Sequence, residues 1–204
     1  MTKVHEYDLP DSELLKENGP SRFLVWVPRE TCIVLGNSNR VHEAVWMENV
    51  ISDHVPIFVR PTGGQSVVLS PKMVVISSIH NTSHPLPSKK YFELYTGIIL
   101  SGLSRLGVEN LEVKGVSDIT MNNLKIAGSA MYRNREKVFF HAVLNVRESP
   151  ASIQRYLRYP STTPEYRGGR DHMKFVTSLA LQGYSLESQE IVHSIETRMR
   201  QIVW

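Results

Sequence analysis

The chain has 204 residues, 41% of them hydrophobic and 21% charged, which suits a single globular domain long enough to bury a core. Its net charge of +3, from 23 basic and 20 acidic side chains, fits an anionic ligand or an acidic partner surface and falls far short of a nucleic-acid footprint. One cysteine, Cys32, excludes an internal disulfide and a multi-cysteine zinc site, and no window has the character of a membrane span or a signal peptide. The expectation is a cytoplasmic protein with no nucleic-acid or membrane partner.

In chain order, residues 22–35 (RFLVWVPRETCIVL) read as two strands broken at Pro28 and closed by the Gly36-Asn37 turn pair. Val41 to Val50 has the apolar spacing of a short helix. Ile57 to Arg60 and Ser66 to Leu69 are strand candidates on either side of Pro61-Thr62-Gly63-Gly64-Gln65, and Lys72 to Ile79 is a further β-branched run. After the proline-punctuated NTSHPLPS, with Ser88 as N-cap, Lys89 to Leu106 carries a helical period and Gly107 stands at its C-cap. Leu111 to Val113, Ile119 to Met121, Lys125 to Tyr132 and Lys137 to Val146 form a second β-rich half, the last two joined as a hairpin. Residues 158–170 are rich in proline and glycine and read as irregular, and Leu186 to Val203 is an amphipathic closing helix. Strand groups interrupted by helices, without a long linker, predict one α+β (α/β) domain over residues 1–204.

Two stretches carry chemistry. In Arg60-Pro-Thr-Gly-Gly-Gln-Ser66, two glycines let backbone N–H groups approach a ligand, and an arginine stands ready to pair with a carboxylate or phosphate. The same residues also read as a plain turn between strands, and the spacing is not that of a Walker loop or a dinucleotide fingerprint. In Asp118-Ile-Thr-Met-Asn-Asn-Leu-Lys-Ile-Ala-Gly-Ser-Ala130, Lys125 opens a strand beside small residues. Near anionic oxygens its ammonium would stabilise a phosphoryl or acyl transition state, and exposed it is an ordinary strand-start lysine. His141 lies mid-strand, where a hydrogen-bonded core histidine is the commoner finding. His80 and His84 lack a third metal ligand, and Cys32 sits in an apolar run as an inert small hydrophobe.

In order, RPTGGQSVV, SDI, KIAGSAMYR and FHAVLNV resemble the lipoate–protein ligase A family, within the biotin/lipoate A/B protein ligase superfamily, from about Leu24 to about Leu179. The most specific block is Lys125-Ile-Ala-Gly-Ser-Ala-Met-Tyr-Arg133 followed by His141. Arg60, Thr62, Gly63 and Gly64 match the family's glycine loop. Asp118 matches its Asn-Asp element, with Ser117 in place of Asn.

The resemblance implies a catalytic domain with a mixed, mostly antiparallel sheet packed with helices. It also implies ATP-dependent adenylation of lipoate or octanoate, then transfer of the acyl group to a lysine of a lipoyl-carrier domain of the glycine cleavage H protein or 2-oxoacid dehydrogenase E2 type. Lys125 would be catalytic. Arg60, Thr62, Gly63, Gly64, Gln65, Ser66 and Val67 would hold the acyl-adenylate, and Ser129, Ala130, His141 and Val143 would line the same pocket. Asp118 would lie near the nucleotide or bind its Mg²⁺.

Two departures stand out. The family's third loop glycine is Gln65, and Leu69-Ser-Pro-Lys-Met73 replaces its His-Asp-x-Gly-Asn. The change at Gln65 looks more like the ATP-independent octanoyltransferases of the B branch, which need a nucleophilic cysteine that Cys32 does not match. A degenerate homologue that binds a lipoyl group without ligating it is the non-enzyme alternative. The chain ends after one closing helix, so no C-terminal accessory domain is expected, and the ligase would be compact or helped by a separate accessory protein.

Overall fold

The computed structural model describes residues 3–16 and 20–202. The chain opens with β1 (Val4–Glu6), a 3-10 turn (Pro10–Ser12) and the one-turn helix α1 (Glu13–Lys16), none of which is apparent in the periodicity. Then come β2 (Arg22–Trp26) and β3 (Cys32–Leu35), broken at Pro28 as predicted. The expected helix over 41–50 is two pieces, α2 (Val41–Ala44) and α3 (Met47–Ser52). Between them Val45 bridges to Leu157 and the Trp46 amide donates to Tyr156 O at 2.9 Å, so a tertiary contact takes the hydrogen bonds a continuous helix needs.

β4 (Ile57–Val59), β5 (Val67–Leu69) and β6 (Met73–Asn81) follow, then α4 (Ser88–Arg105). Its N-cap position is held by Pro87, not Ser88, and no side chain caps it. Gly107 behaves as expected. At φ +80° it donates to Ser104 O while Val108 donates to Leu103 O, the paired bonds of a Schellman stop. β7 (Leu111–Lys114), β8 (Asp118–Met121), β9 (Leu124–Arg133) and β10 (Lys137–Asn145) form the second β-rich half, and the β9–β10 hairpin turns where Asn134 Oδ1 accepts from the Glu136 and Lys137 amides. α5 (Pro150–Tyr156) and α6 (His172–Phe175) start at the N-caps Ser149 and Asp171 and were too short to read from periodicity. Between them, 158–170 is irregular apart from a 3-10 turn over Glu165–Arg167. The closing helix α7 (Ser188–Met199) begins at a Glu187–Glu190 capping box, and Val203 lies outside the described residues.

The strands make two sheets. One is antiparallel, in the order β2-β6-β10-β9-β8-β7. The other is mixed, in the order β1-β4-β3-β5, with β4 parallel to both neighbours. The architecture is the expected mixed, mostly antiparallel α+β arrangement. β6 is buried through seven of its nine residues because it is covered on both faces. Val74 and Ile76 pack with Tyr95, Ile99 and Ile195 of α4 and α7, whereas Met73 and Val75 meet the smaller sheet. α4 and α7 approach closely at Gly102, whose carbonyl accepts from Ser194 and where a Cβ would lie 3.0 Å from Ile195 Cγ1. The alternation that sends Phe140, Ala142 and Leu144 of β10 into the helix-side core turns His141 and Val143 toward the smaller sheet, where a cleft opens.

Candidate active site

The cleft has a volume of about 630 Å³. Its walls come from the glycine loop and β5, from β9 and β10, and from the segment 158–176. Of the residues picked out in the sequence, Lys125, Asp118, Ser129, Ala130, His141 and Val143 line it, together with Arg60, Gly64, Gln65, Ser66 and Val67. Thr62 and Gly63 do not line it: Thr62 is fully buried and Gly63 is exposed on the loop's other side.

Arg60 does not offer its guanidinium to a ligand as the sequence suggests. It is 3% exposed, and its nitrogens bind the loop that follows. Nε donates to Thr62 Oγ1 at 2.8 Å, and one terminal nitrogen donates to both Gly63 O and Gln65 O at 2.8 Å. Burial draws its pKa down to about 10, still well above neutrality, so the charge remains.

The consequence for the loop is geometric. In a trans peptide the C=O and the following N–H point in opposite directions, and the described chain has no cis bond. Turning the Gly63 and Gln65 carbonyls toward Arg60 therefore turns the Gly64 and Ser66 amides away from it, and among the described residues nothing accepts from either amide. Gly64 reaches this shape at φ +88°. Gly36 supports the loop from below, since a Cβ there would lie 2.0 Å from Gly64 O. Asn39 fastens it by accepting from the Ser66 hydroxyl and the Gly36 amide. Gly36 and Asn39 have no chemical signature in the sequence, where they read as a turn.

Across the cleft, Lys125 Nζ lies 2.7 Å from Asp118 Oδ1, and the other carboxylate oxygen accepts from Tyr166 at 2.8 Å. The Lys125 side chain lies over Gly128, where a Cβ would come within 2.5 Å of Nζ. The neighbouring backbone is pinned as well, because Thr177 N donates to Lys125 O at 2.9 Å. Ser129 donates to Ser117 at 2.6 Å, so the serine at the family's Asn position braces the same strand pair.

Asp118 fits a metal only in part. Both of its oxygens already have partners, and no group of three His, Cys, Asp or Glu residues capable of holding an ion occurs among the described residues. A divalent cation at this site would need most of its ligands from a bound phosphate chain.

The irregular segment 158–170 supplies residues that the sequence reading did not single out. Tyr166 packs on Phe175, and Arg167, buried in the cleft wall, has its guanidinium 4.6 Å from the ring centres of Tyr159 and Phe175. Its Nε donates to Arg170 O, while a terminal nitrogen has no partner among the described residues. A Tyr-Arg pair inside a proline- and glycine-rich stretch is the signal that could have found them. His172 lines the cleft too. Burial lowers its pKa, so the ring is neutral near pH 7 and Nε2 donates to Arg158 O.

Two residues that bear on the departures from the family pattern lie outside the cleft wall. Lys72 points away from the cleft and pairs with Glu148 at 3.6 Å, whereas Leu69 and Met73 from the same altered stretch extend the cleft's apolar floor. Cys32 is 3% exposed, forms no part of the cleft wall, and has its thiol pushed up to about 12, chiefly by burial. It holds no thiolate at neutral pH.

The family model for the lipoyl protein ligase A/B catalytic domain matches residues 11–200. Lipoate–protein ligase 1 of Staphylococcus aureus is 27% identical over 159 residues, which is 78% of this chain and 47% of that protein. Lipoate-protein ligase LplJ of Bacillus subtilis is 25% identical over 123 residues, 60% of this chain and 36% of that one. The chain thus spans about half the length, or less, of these curated relatives. Among solved structures, a bi-partite lipoate protein ligase of Thermoplasma acidophilum, studied with its E2 lipoyl domain, superposes with a TM-score of 0.76 at 14% identity, over 89% of this chain and 70% of that one. A lipoate-protein ligase A bound with ATP gives 0.75 at 16% identity, over 89% and 72%. At such identities the structural likeness speaks for the fold.

Proposed function

The chain belongs to the lipoyl protein ligase A/B catalytic domain family, and from that membership we propose that it is an ATP-dependent ligase that adenylates lipoate or octanoate and passes the acyl group to a carrier-domain lysine. The observation that carries this reading is the pairing of two features across one cleft. They are a glycine loop turned by Arg60 so that the Gly64 and Ser66 amides are free to donate, and Lys125 facing that loop's cleft.

In the first step a carboxylate oxygen of the acid attacks the α-phosphorus of ATP, and the bond to the bridging oxygen breaks to release pyrophosphate. In the second, the carrier amine attacks the acyl carbonyl carbon, loses a proton, and AMP departs with the bonding pair on its phosphate oxygen. Negative charge builds on the phosphate in the first step and on the carbonyl oxygen in the second. A preorganised ammonium and two backbone donors stabilise both without a covalent enzyme intermediate. Lys125 meets the reacting oxygens, the Gly64 and Ser66 amides hold the acyl-phosphate, and Val67, Val143 and Met73 receive the apolar chain. Arg167 supplies a second positive charge on the cleft wall. Mg²⁺ brought with ATP would neutralise part of the phosphate charge, and Asp118 is a carboxylate of the cleft wall that would assist in holding it.

The partner is a lipoyl-carrier domain, of the H-protein or E2 type. The solved Thermoplasma relative studied with its E2 lipoyl domain supports this. Of the alternatives, a cysteine-dependent acyltransferase is disfavoured by the burial and high pKa of Cys32. A binding-only homologue is disfavoured by the intact Lys125–Asp118–Tyr166 arrangement. The test is ATP–pyrophosphate exchange by the isolated chain with lipoate or octanoate and Mg²⁺, followed by the mass of a lipoyl domain after incubation. Exchange plus an acyl mass gain is expected. Acyl transfer from octanoyl carrier protein without ATP would overturn the ligase reading. Exchange that appears only on adding a second polypeptide would show that an accessory protein is required.

A further inference from the structure

Directly behind the glycine loop lies a buried carboxylate that the reaction as described does not use. Asp11 is fully buried on the N-terminal arm. Tyr7 donates to its Oδ1 at 2.8 Å and Ser77 to its Oδ2 at 2.6 Å. The same Oδ2 faces His141 Nδ1 at 3.8 Å. On the far side of the ring, His141 Nε2 is 2.8 Å from Thr62 Oγ1, the atom that accepts from Arg60 Nε. A single file of groups thus joins Asp11 to the arginine that shapes the loop.

The ends of the file set the proton positions within it. A guanidinium only donates, so Thr62 Oγ1 accepts from Arg60 and is free to pass its own hydrogen onward. Both Asp11 oxygens accept from hydroxyls, so the ring nitrogen facing Asp11 is the one that carries a proton. Burial and the Arg60 charge lower the pKa of His141 against the pull of Asp11, and a neutral ring with Nδ1–H leaves Nε2 as the acceptor for the Thr62 hydroxyl. Every donor then points the same way, from Arg60 toward Asp11.

We propose that Asp11 is a positioning residue of the ligation site: its carboxylate fixes His141 in the Nδ1–H tautomer, which holds Thr62 and, through Arg60, presents the Gly64 and Ser66 amides to the ligand. This rests on the reading of that loop as the acyl-adenylate cradle. It makes the N-terminal arm, which the sequence left without a role, part of the site.

The experiment reads the ring first and turnover second. Long-range ¹H–¹⁵N spectra of the ligand-free protein near neutral pH, with His141→Gln to assign the signal, should show protonated Nδ1 and bare Nε2. In Asp11→Asn the side-chain amide can donate to Nδ1, so the ring proton should move to Nε2, leaving the Thr62 hydroxyl without its acceptor. The KM for ATP and for the acid should then rise about tenfold, the loss expected for one buried hydrogen bond. Asp11→Glu, which keeps a carboxylate, should keep the wild-type tautomer. A wild-type ring protonated at Nε2, or Asp11→Asn protein with wild-type KM values, overturns the proposal. Should Asp11→Asn fail to fold, the wild-type tautomer alone decides. Because the ring is read without substrates, an inactive wild type with the expected tautomer would count against the ligase reading and leave the proton file standing.

Discussion

Gly128→Ala separates the proposed catalytic role of Lys125 from its contribution to the fold. The new Cβ would lie 2.5 Å from Lys125 Nζ, 2.6 Å from its Cε and 3.3 Å from Asp118 Oδ1. An ordinary carbon–nitrogen contact is about 3.5 Å, so the ammonium must retreat by about 1 Å, comparable to the misplacements that lower catalysis about a hundredfold. What gives way is the free end of a flexible chain and not backbone. The pair it leaves is partly solvent-exposed, with side chains 29% and 15% accessible, so the stability lost is small. An alanine also has less backbone entropy to lose than glycine, about 0.5–1 kcal/mol in the opposite sense. The expected protein melts within about 1 kcal/mol of wild type and shows about 1% of its pyrophosphate exchange. Lys125→Ala should lose more, about a thousandfold, because the charge is removed and not merely displaced. The assays are exchange kinetics and a denaturant titration on the same preparations. Wild-type exchange in Gly128→Ala would refute the placement of Lys125 in the reaction.

Gly36→Ala should behave oppositely, because its Cβ meets the Gly64 carbonyl at 2.0 Å and backbone must move. A loss of about 1–3 kcal/mol by denaturant titration is expected, and unchanged stability would contradict the close approach. Cys32→Ala should keep full ATP-dependent ligation, since the thiol lies outside the cleft, whereas abolished acyl transfer in that variant would restore the thioester route. For pH, His141 and His172 both have folded pKa values below the ordinary 6.5. The unfolded chain takes up their protons as pH falls through that value while the folded chain does not. Their contribution is therefore fully present above about pH 6.5 and declines below it, toward the folded pKa values, by up to about 1.4 kcal/mol per pH unit per ring. Denaturant midpoints measured on either side of that value should converge partly between wild type and His141→Gln as pH falls, and parallel curves would show that the ring is not held neutral.

Features decided within a few residues were legible in the sequence. The Gly107 stop, the β9–β10 hairpin and the period of α4 depend on bonds between neighbours, and each was found close to where it was expected. The elements missed were α1, α5, α6 and β1. The three helices are too short for a period to show, and β1 is stable only because it lies parallel to β4, which comes much later in the chain. The helix expected over 41–50 failed for a related reason, since Leu157 and Tyr156 claim the backbone at Val45 and Trp46.

The site divides the same way. The motif residues from Arg60 to Val67, with Asp118, Lys125 and His141, resemble one family in the sequence alone, because they follow that family's motifs in the same order. Their roles were decided elsewhere. Arg60 reads as a ligand for an anion, and the fold turns it inward because a buried guanidinium must find acceptors and its own loop supplies them. Asp11 has no part in the sequence reading, and its partner Ser77 is 66 residues away. Lys125 is identifiable from its motif, but that it faces Asp118 follows from β8 and β9 being brought side by side. Composition and order in the chain determine which groups are available. Orientation and protonation depend on long-range packing, because a buried polar group takes its partner from whichever element the fold lays against it.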